Sequence, residues 1–221
     1  MLKGLKINFL GDSITAGGCA SKAENRYVDL IAAKTGAVCR NYGIGGTRLA
    51  RQTVKSENED FDKDFCGRID EMESDADIVV VFGGTNDFGH GDAKLGNPDD
   101  STPQTFYGAE NYLANKLKEK YKEAKIVFIT PMHRIGENNP RGEGNKAEDG
   151  PVLKEYVDII KESAKRHNIP LLDLYNDFGI DPNNAEDNAK YFADGLHPND
   201  AGHKLIADTI IDYLTHYICQ L

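Results

Sequence analysis

The chain alternates short apolar, β-branched runs with longer stretches in which apolar residues recur every three or four positions. The first pattern fits strands, the second helices with one buried face. Residues 5–10, 37–41, 77–82, 125–130 and 169–174 read as five strands. The third, Asp77-Ile78-Val79-Val80-Val81-Phe82, is too uniformly apolar to face water on either side. Pro131 stops the fourth. Between them, residues 25–34 place Tyr27, Leu30, Ile31 and Ala33 at helical spacing ahead of Gly36. Residues 105–123 put Tyr112, Leu113, Leu117 and Tyr121 on one face, and residues 152–167 turn Leu153, Tyr156, Val157, Ile160 and Ala164 inward. Residues 200–218 form the last helix, with Asn199 or Asp200 as N-cap.

Strand–helix alternation predicts an α/β fold with an all-parallel, doubly wound sheet and right-handed crossovers. The connections entering strands are short. Those leaving strands two, three and four are long, at residues 43–65, 83–104 and 132–150. In such a fold they emerge at the carboxyl edge of the sheet, where ligands bind. No repeat, low-complexity tract or boundary interrupts the pattern, so residues 1–221 are expected to form one domain.

Composition narrows the function. The formal net charge of −10 argues against nucleic acid or an anionic membrane as partner, since both need basic patches. No run approaches the roughly 20 apolar residues of a membrane span. No charged segment followed by an apolar core opens the chain, so a cytoplasmic setting is expected. The four cysteines, Cys19, Cys39, Cys66 and Cys219, form no C-x-x-C and are expected as free thiols; Cys19, six residues from Ser13, could lie near it but is read first as an ordinary loop thiol.

Four segments carry candidate chemistry. Ser13 follows the first strand in Gly11-Asp12-Ser13, where the N–H groups at a helix start can face developing negative charge; taken alone, the segment reads first as a helix cap made by Asp12 or Ser13. His197 lies in Asp194-Gly195-Leu196-His197-Pro198. From three residues back Asp194 can reach one ring nitrogen, leaving the other to accept a hydroxyl proton; a surface histidine before a helix is the alternative. Gly45 and Gly46, in Asn41-Tyr42-Gly43-Ile44-Gly45-Gly46-Thr47, can present N–H groups to a substrate oxygen or simply make a tight turn. Asn86, in Gly83-Gly84-Thr85-Asn86-Asp87, offers an amide donor. Neither residues 11–18 nor residues 43–46 fit a phosphate-binding loop. Asp194, His197, Asp200 and His203 could be read as metal ligands, but their spacing matches no common metal motif. His90 and His133 lie in the long loops, where they could touch a substrate but are read first as solvated loop residues.

Together the four segments resemble the SGNH hydrolases, also called the GDSL esterase and lipase family. Ser13, Gly46, Asn86 and His197 fall at the four positions that give the family its name, in order and across nearly the whole chain. The resemblance implies a flavodoxin-like three-layer α/β/α fold with a five-stranded parallel sheet in the order 2-1-3-4-5. It implies ester hydrolysis through an acyl-enzyme, with Ser13 as nucleophile, His197 as base, Asp194 as its partner, and the Ser13 N–H, the Gly46 N–H and the Asn86 side chain as the oxyanion hole. It implies no metal or cofactor. The long loops are polar and carry no apolar lid, which favours short acyl groups such as acetyl on a polar alcohol, a small-molecule or carbohydrate ester. An acyltransferase of the same fold and a non-catalytic carbohydrate-binding module are the other readings.

Overall fold

The computed structural model describes residues 2–144 and 146–219, with side chains to residue 217. Five parallel strands, β1 (Lys6–Gly11), β2 (Val38–Gly43), β3 (Ile78–Phe82), β4 (Lys125–Ile129) and β5 (Leu171–Leu172), form one sheet in the order β2-β1-β3-β4-β5. This is the topology expected. Its switch point lies between β1 and β3, where successive connections leave for opposite faces and a crevice opens at the carboxyl ends.

Two cores explain the three layers. Successive strand residues point to opposite faces, and β3 divides accordingly. Val79 and Val81 join one cluster with Phe65, Leu113, Leu117 and Val157, under helices α5 (Phe106–Lys120) and α6 (Leu153–Arg166). Ile78, Val80 and Phe82 join the other with Tyr27, Ile31, Ile206 and Ile210, under α2 (Tyr27–Thr35) and α9 (Asp200–Cys219). All five residues of β3 are buried, as a strand covered on both faces requires. The five apolar residues of the 152–167 stretch are buried as the helical spacing demands. Asn199 is the cap of α9: its Oδ1 accepts from the N–H groups of Ala201 at 2.9 Å and Gly202 at 3.1 Å.

Three expectations change. Strand five shrinks to two residues because Asp173 turns the chain, its Oδ1 accepting from the Asn176 N–H to cap the short helix α7 (Leu174–Asp177). The 83–104 segment opens with a helical turn and a half, α4 (Thr85–His90), and α8 (Ala185–Tyr191) precedes the His197 segment. Two four-residue helices, α1 (Ser13–Ala16) and α3 (Phe65–Arg68), complete the set among the described residues. Helix α5 also buries a charge that periodicity alone did not mark.

That charge is Glu110, 1% exposed, with Oε2 meeting no partner. Burial, reinforced by the nearby Asp87 carboxylate, pushes its carboxyl up to about 8. Unfolded, a glutamate ionises at about 4.3. The folded state therefore holds the proton more tightly, and its contribution to stability is complete below about pH 4 and lost as pH rises towards 8. Glu110→Gln mimics the protonated form. It is expected to be neutral at pH 4 and to stabilise by on the order of 2 kcal/mol at pH 7. Urea unfolding at both pH values checks this, and an equal difference at each refutes it.

Candidate active site

Ser13 owes its position to the end of β1. The Ile14 N–H donates to Asp12 Oδ1 at 3.0 Å, so Asp12 caps α1 and Ser13 becomes its first residue at the sheet's carboxyl edge. Burial pushes the Asp12 carboxyl up to about 6, against the hydrogen bond from Ile14 and the nearby His197 and Arg68. The adjoining end of β2 comes so close that a side chain on Gly43 would stand 2.2 Å from the Ala16 nitrogen, which glycine alone permits.

His197 comes from the opposite end of the chain on a doubly pinned loop. The Ala193 N–H donates to the His197 carbonyl at 2.9 Å, and the Asn199 N–H to the Tyr191 carbonyl at 2.9 Å. Asp194 closes the turn on itself: its Oδ1 accepts from the N–H groups of Leu196 at 3.0 Å and His197 at 2.7 Å. Its Oδ2 lies 2.7 Å from His197 Nδ1, and His197 Nε2 lies 2.9 Å from Ser13 Oγ. Burial works against the Asp194 charge, but these three hydrogen bonds outweigh it and hold the carboxyl below its ordinary range. An ionised Asp194 fixes the proton on Nδ1, so Nε2 is left to accept from Ser13.

The glycine segments meet Ser13 from the side. Gly46 has φ +72°, and a Cβ there would sit 2.3 Å from the Phe61 ring, so the position suits glycine twice over. The N–H groups of Ser13 and Gly46 find no acceptor among the described residues. Asn86, 4% exposed in α4, donates one amide hydrogen to the Thr47 carbonyl at 2.9 Å, which leaves the other for a ligand. All of these border one cleft of about 680 Å³, together with His197 and Leu196.

Two buried residues outside the sequence expectation tie this frame together. Arg68, 3% exposed, donates to the carbonyls of Gly11 at 3.1 Å, Tyr42 at 2.6 Å and Lys63 at 2.9 Å, and to Thr47 Oγ1 at 3.0 Å. It thereby joins the ends of β1 and β2 to the turn that carries Gly46. Asp87 accepts from the N–H groups of Ala50 and Leu49, both at 2.9 Å, and fixes that turn's exit against α4. Burial pushes the Asp87 carboxyl up to about 7 despite those bonds. Asp87 follows Asn86 directly, so its motif was visible; Arg68 carried no such signal.

Other candidates fall elsewhere. Cys19, expected as an ordinary loop thiol, has φ +63° and brings its sulfur to the Asp194–His197 pair, the three potential ligand atoms lying within 4.8 Å of one another. Burial and the Asp194 charge push its thiol up, away from the thiolate form. Asp200 and His203 do not join Asp194 and His197: Asp200 accepts from the Ser21 N–H and Oγ, and His203 Nε2 bonds the Gly18 carbonyl at 3.1 Å. His133 pairs with Glu137 at 3.0 Å, under the Tyr175 ring. His90 lines the cleft, the second of the two readings its loop position allowed. Cys19, Cys39 and Cys66 are free thiols; the side chain of Cys219 lies outside the described residues.

The GDSL-like lipase/acylhydrolase family model matches residues 9–205, a span that takes in Ser13, Gly46, Asn86, Asp194 and His197. The chain belongs to this family. It is an ester hydrolase with the family's α/β fold. A protein from Lactobacillus plantarum is 29% identical, with a TM-score of 0.83 over 98% of this chain and 99% of its own. A possible lipase from Chitinophaga pinensis is 24% identical, with a TM-score of 0.70 over 96% and 98%. The acetyl xylan esterase AlAXEase is 24% identical, with a TM-score of 0.58 over 95% and 99%. No curated protein matches the sequence. Among the described residues of this acylhydrolase, no helix is long and apolar enough to cross a membrane.

Proposed function

We propose that this family member hydrolyses carboxylic esters of short acyl groups, acetyl above all, on a polar or carbohydrate alcohol, through an acyl-enzyme on Ser13. The observation that carries the mechanism is the chain Ser13 Oγ, His197 Nε2, His197 Nδ1, Asp194 Oδ2, with links of 2.9 and 2.7 Å, at the edge of the cleft. Ser13 Oγ attacks the ester carbonyl carbon while its proton passes to His197 Nε2. Asp194 stabilises the imidazolium that forms. The carbonyl oxygen, now negative, is received by the N–H groups of Ser13 and Gly46 and the spare amide hydrogen of Asn86. Collapse breaks the ester C–O bond, and the departing alcohol takes the proton from His197. Water then repeats the sequence against the acyl-enzyme and frees the acid and Ser13.

The substrate reading rests on the cleft. Arg48, Gln52, Ser56, His90, Asp92 and Glu143 set polar groups in its wall, which they share with the apolar side chains of Val54, Phe61 and Leu196. A site for long acyl chains needs an extended apolar lining. The fold shared with an acetyl xylan esterase is compatible with this choice. Steady-state kinetics on p-nitrophenyl acetate, butyrate and palmitate test it. Acetate and butyrate are expected to give kcat/KM at least about tenfold above palmitate, the difference a missing apolar pocket makes. The reverse order refutes the short-acyl reading without touching the mechanism.

A further inference from the structure

We propose that His90 is a recognition residue of the cleft, a neutral imidazole whose Nε2–H donates to an oxygen in the alcohol portion of the substrate. This builds on the polar-alcohol reading above. The argument begins with Arg48, 5% exposed beside His90. Its Nη2 lies 2.8 Å and its Nε 3.2 Å from His90 Nδ1. A guanidinium only donates, so Nδ1 must present its lone pair, and a neutral ring then carries its proton on Nε2. A second proton on Nδ1 would point into two N–H groups and place a charge against the guanidinium.

The surroundings agree. Burial and Arg48 press the imidazole towards its neutral form; Glu143 opposes this, and Arg134 and Lys146 add to it. Nε2 has no partner among the described residues, whereas the other polar side chains around it each have at least one. Gln52 donates to the Ala50 carbonyl and accepts from the Asp92 N–H. Ser56 donates to Asp62, Asp92 accepts from Thr53 and Val54, and Glu143 accepts from Arg134. Lys55 stands exposed on a flexible stem. His90 is thus a spare donor held in a fixed place by Arg48, beside the second amide hydrogen of Gln52, with the Phe61 ring centred 5.6 Å from its own and both rings lining the cleft.

A fixed donor rewards a substrate that offers an acceptor and is left unpaired by one that does not. The test compares kcat/KM on an O-acetylated xylo-oligosaccharide with that on phenyl acetate, whose alcohol portion has no further oxygen. His90→Leu is expected to lower the sugar-to-phenyl ratio about tenfold, the effect of one lost hydrogen bond, through KM rather than kcat. His90→Gln, which keeps an N–H, is expected to restore most of it. Nitrogen-15 spectra of the wild-type protein should show the Nε2–H tautomer. An unchanged ratio in His90→Leu, an equal fall in both variants, or a ring protonated on Nδ1 overturns the assignment to His90 alone. A wild-type enzyme that cleaves phenyl acetate but no acetylated sugar overturns the polar-alcohol reading and this proposal together.

Discussion

Ser13→Ala is expected to lower turnover of p-nitrophenyl acetate by about 10⁴-fold or more while leaving the protein folded. Both halves follow from the same contacts. The Ser13 hydroxyl has one recorded partner, His197 Nε2 at 2.9 Å, so its removal breaks no structural network and leaves the imidazole able to bond water. Asp12, not Ser13, caps α1, so the helix start survives. What disappears is the hydroxyl that the proposed mechanism acylates. Melting temperature within a few degrees of wild type, together with loss of labelling by a fluorophosphonate probe, completes the expectation. His197→Ala on top of Ser13→Ala is expected to add little, because residues that act as one unit do not contribute additively. A purified Ser13→Ala protein with wild-type turnover would falsify the mechanism.

Asn86→Ala is expected to lower kcat by on the order of 10²–10³ with KM little changed, the signature of a donor used in the transition state. The preorganisation is visible in its partners. The Thr47 carbonyl holds one amide hydrogen at 2.9 Å, and Asp87, the next residue, is anchored by the N–H groups of Leu49 and Ala50. The side chain therefore needs no rearrangement when charge develops on the substrate oxygen. Truncation also unpairs the Thr47 carbonyl, at about 1–2 kcal/mol of stability. Kinetics below the shifted melting point separate the two effects, and a raised KM at constant kcat would rule out the oxyanion role.

The sequence was most legible where burial is symmetrical or strictly periodic. Strand β3 is apolar at every position because both its faces are covered, and α6 shows one clean stripe because only one of its faces is. Helix α5 was harder to read, since Glu110 lies on its inward face with the apolar residues. Strand β5 was overestimated because apolar character runs through Leu174, while the side chain of Asp173 ends the strand. Helices α4, α7 and α8 are too short to establish a period. At the site, Ser13, Asp194 and His197 stood out because each adjoins a recognisable element. Gly46 and Asn86 stood out because they sit just past strand ends. Cys19 was marked only by its nearness to Ser13 in the sequence, because a left-handed backbone at a non-glycine residue cannot be read from residue type. His90 was marked only as a loop histidine, because its orientation is set by Arg48, forty-two residues away in the chain.

The clamps made by Arg68 and Asp87 have a bearing on how such an enzyme can be re-engineered. They hold the turn up to Ala50 on one side and the chain from Lys63 onward on the other. Residues 51–62, which carry Gln52, Val54, Ser56 and Phe61 into the cleft, run between these anchors and bond on the way to Pro103, Asp92 and Arg48. A library that varies the length and composition of that stretch alone would sample new substrate preferences on an undisturbed reaction centre. Gly46 sets the boundary condition, because whatever replaces Phe61 must still leave room for a bare backbone beside it.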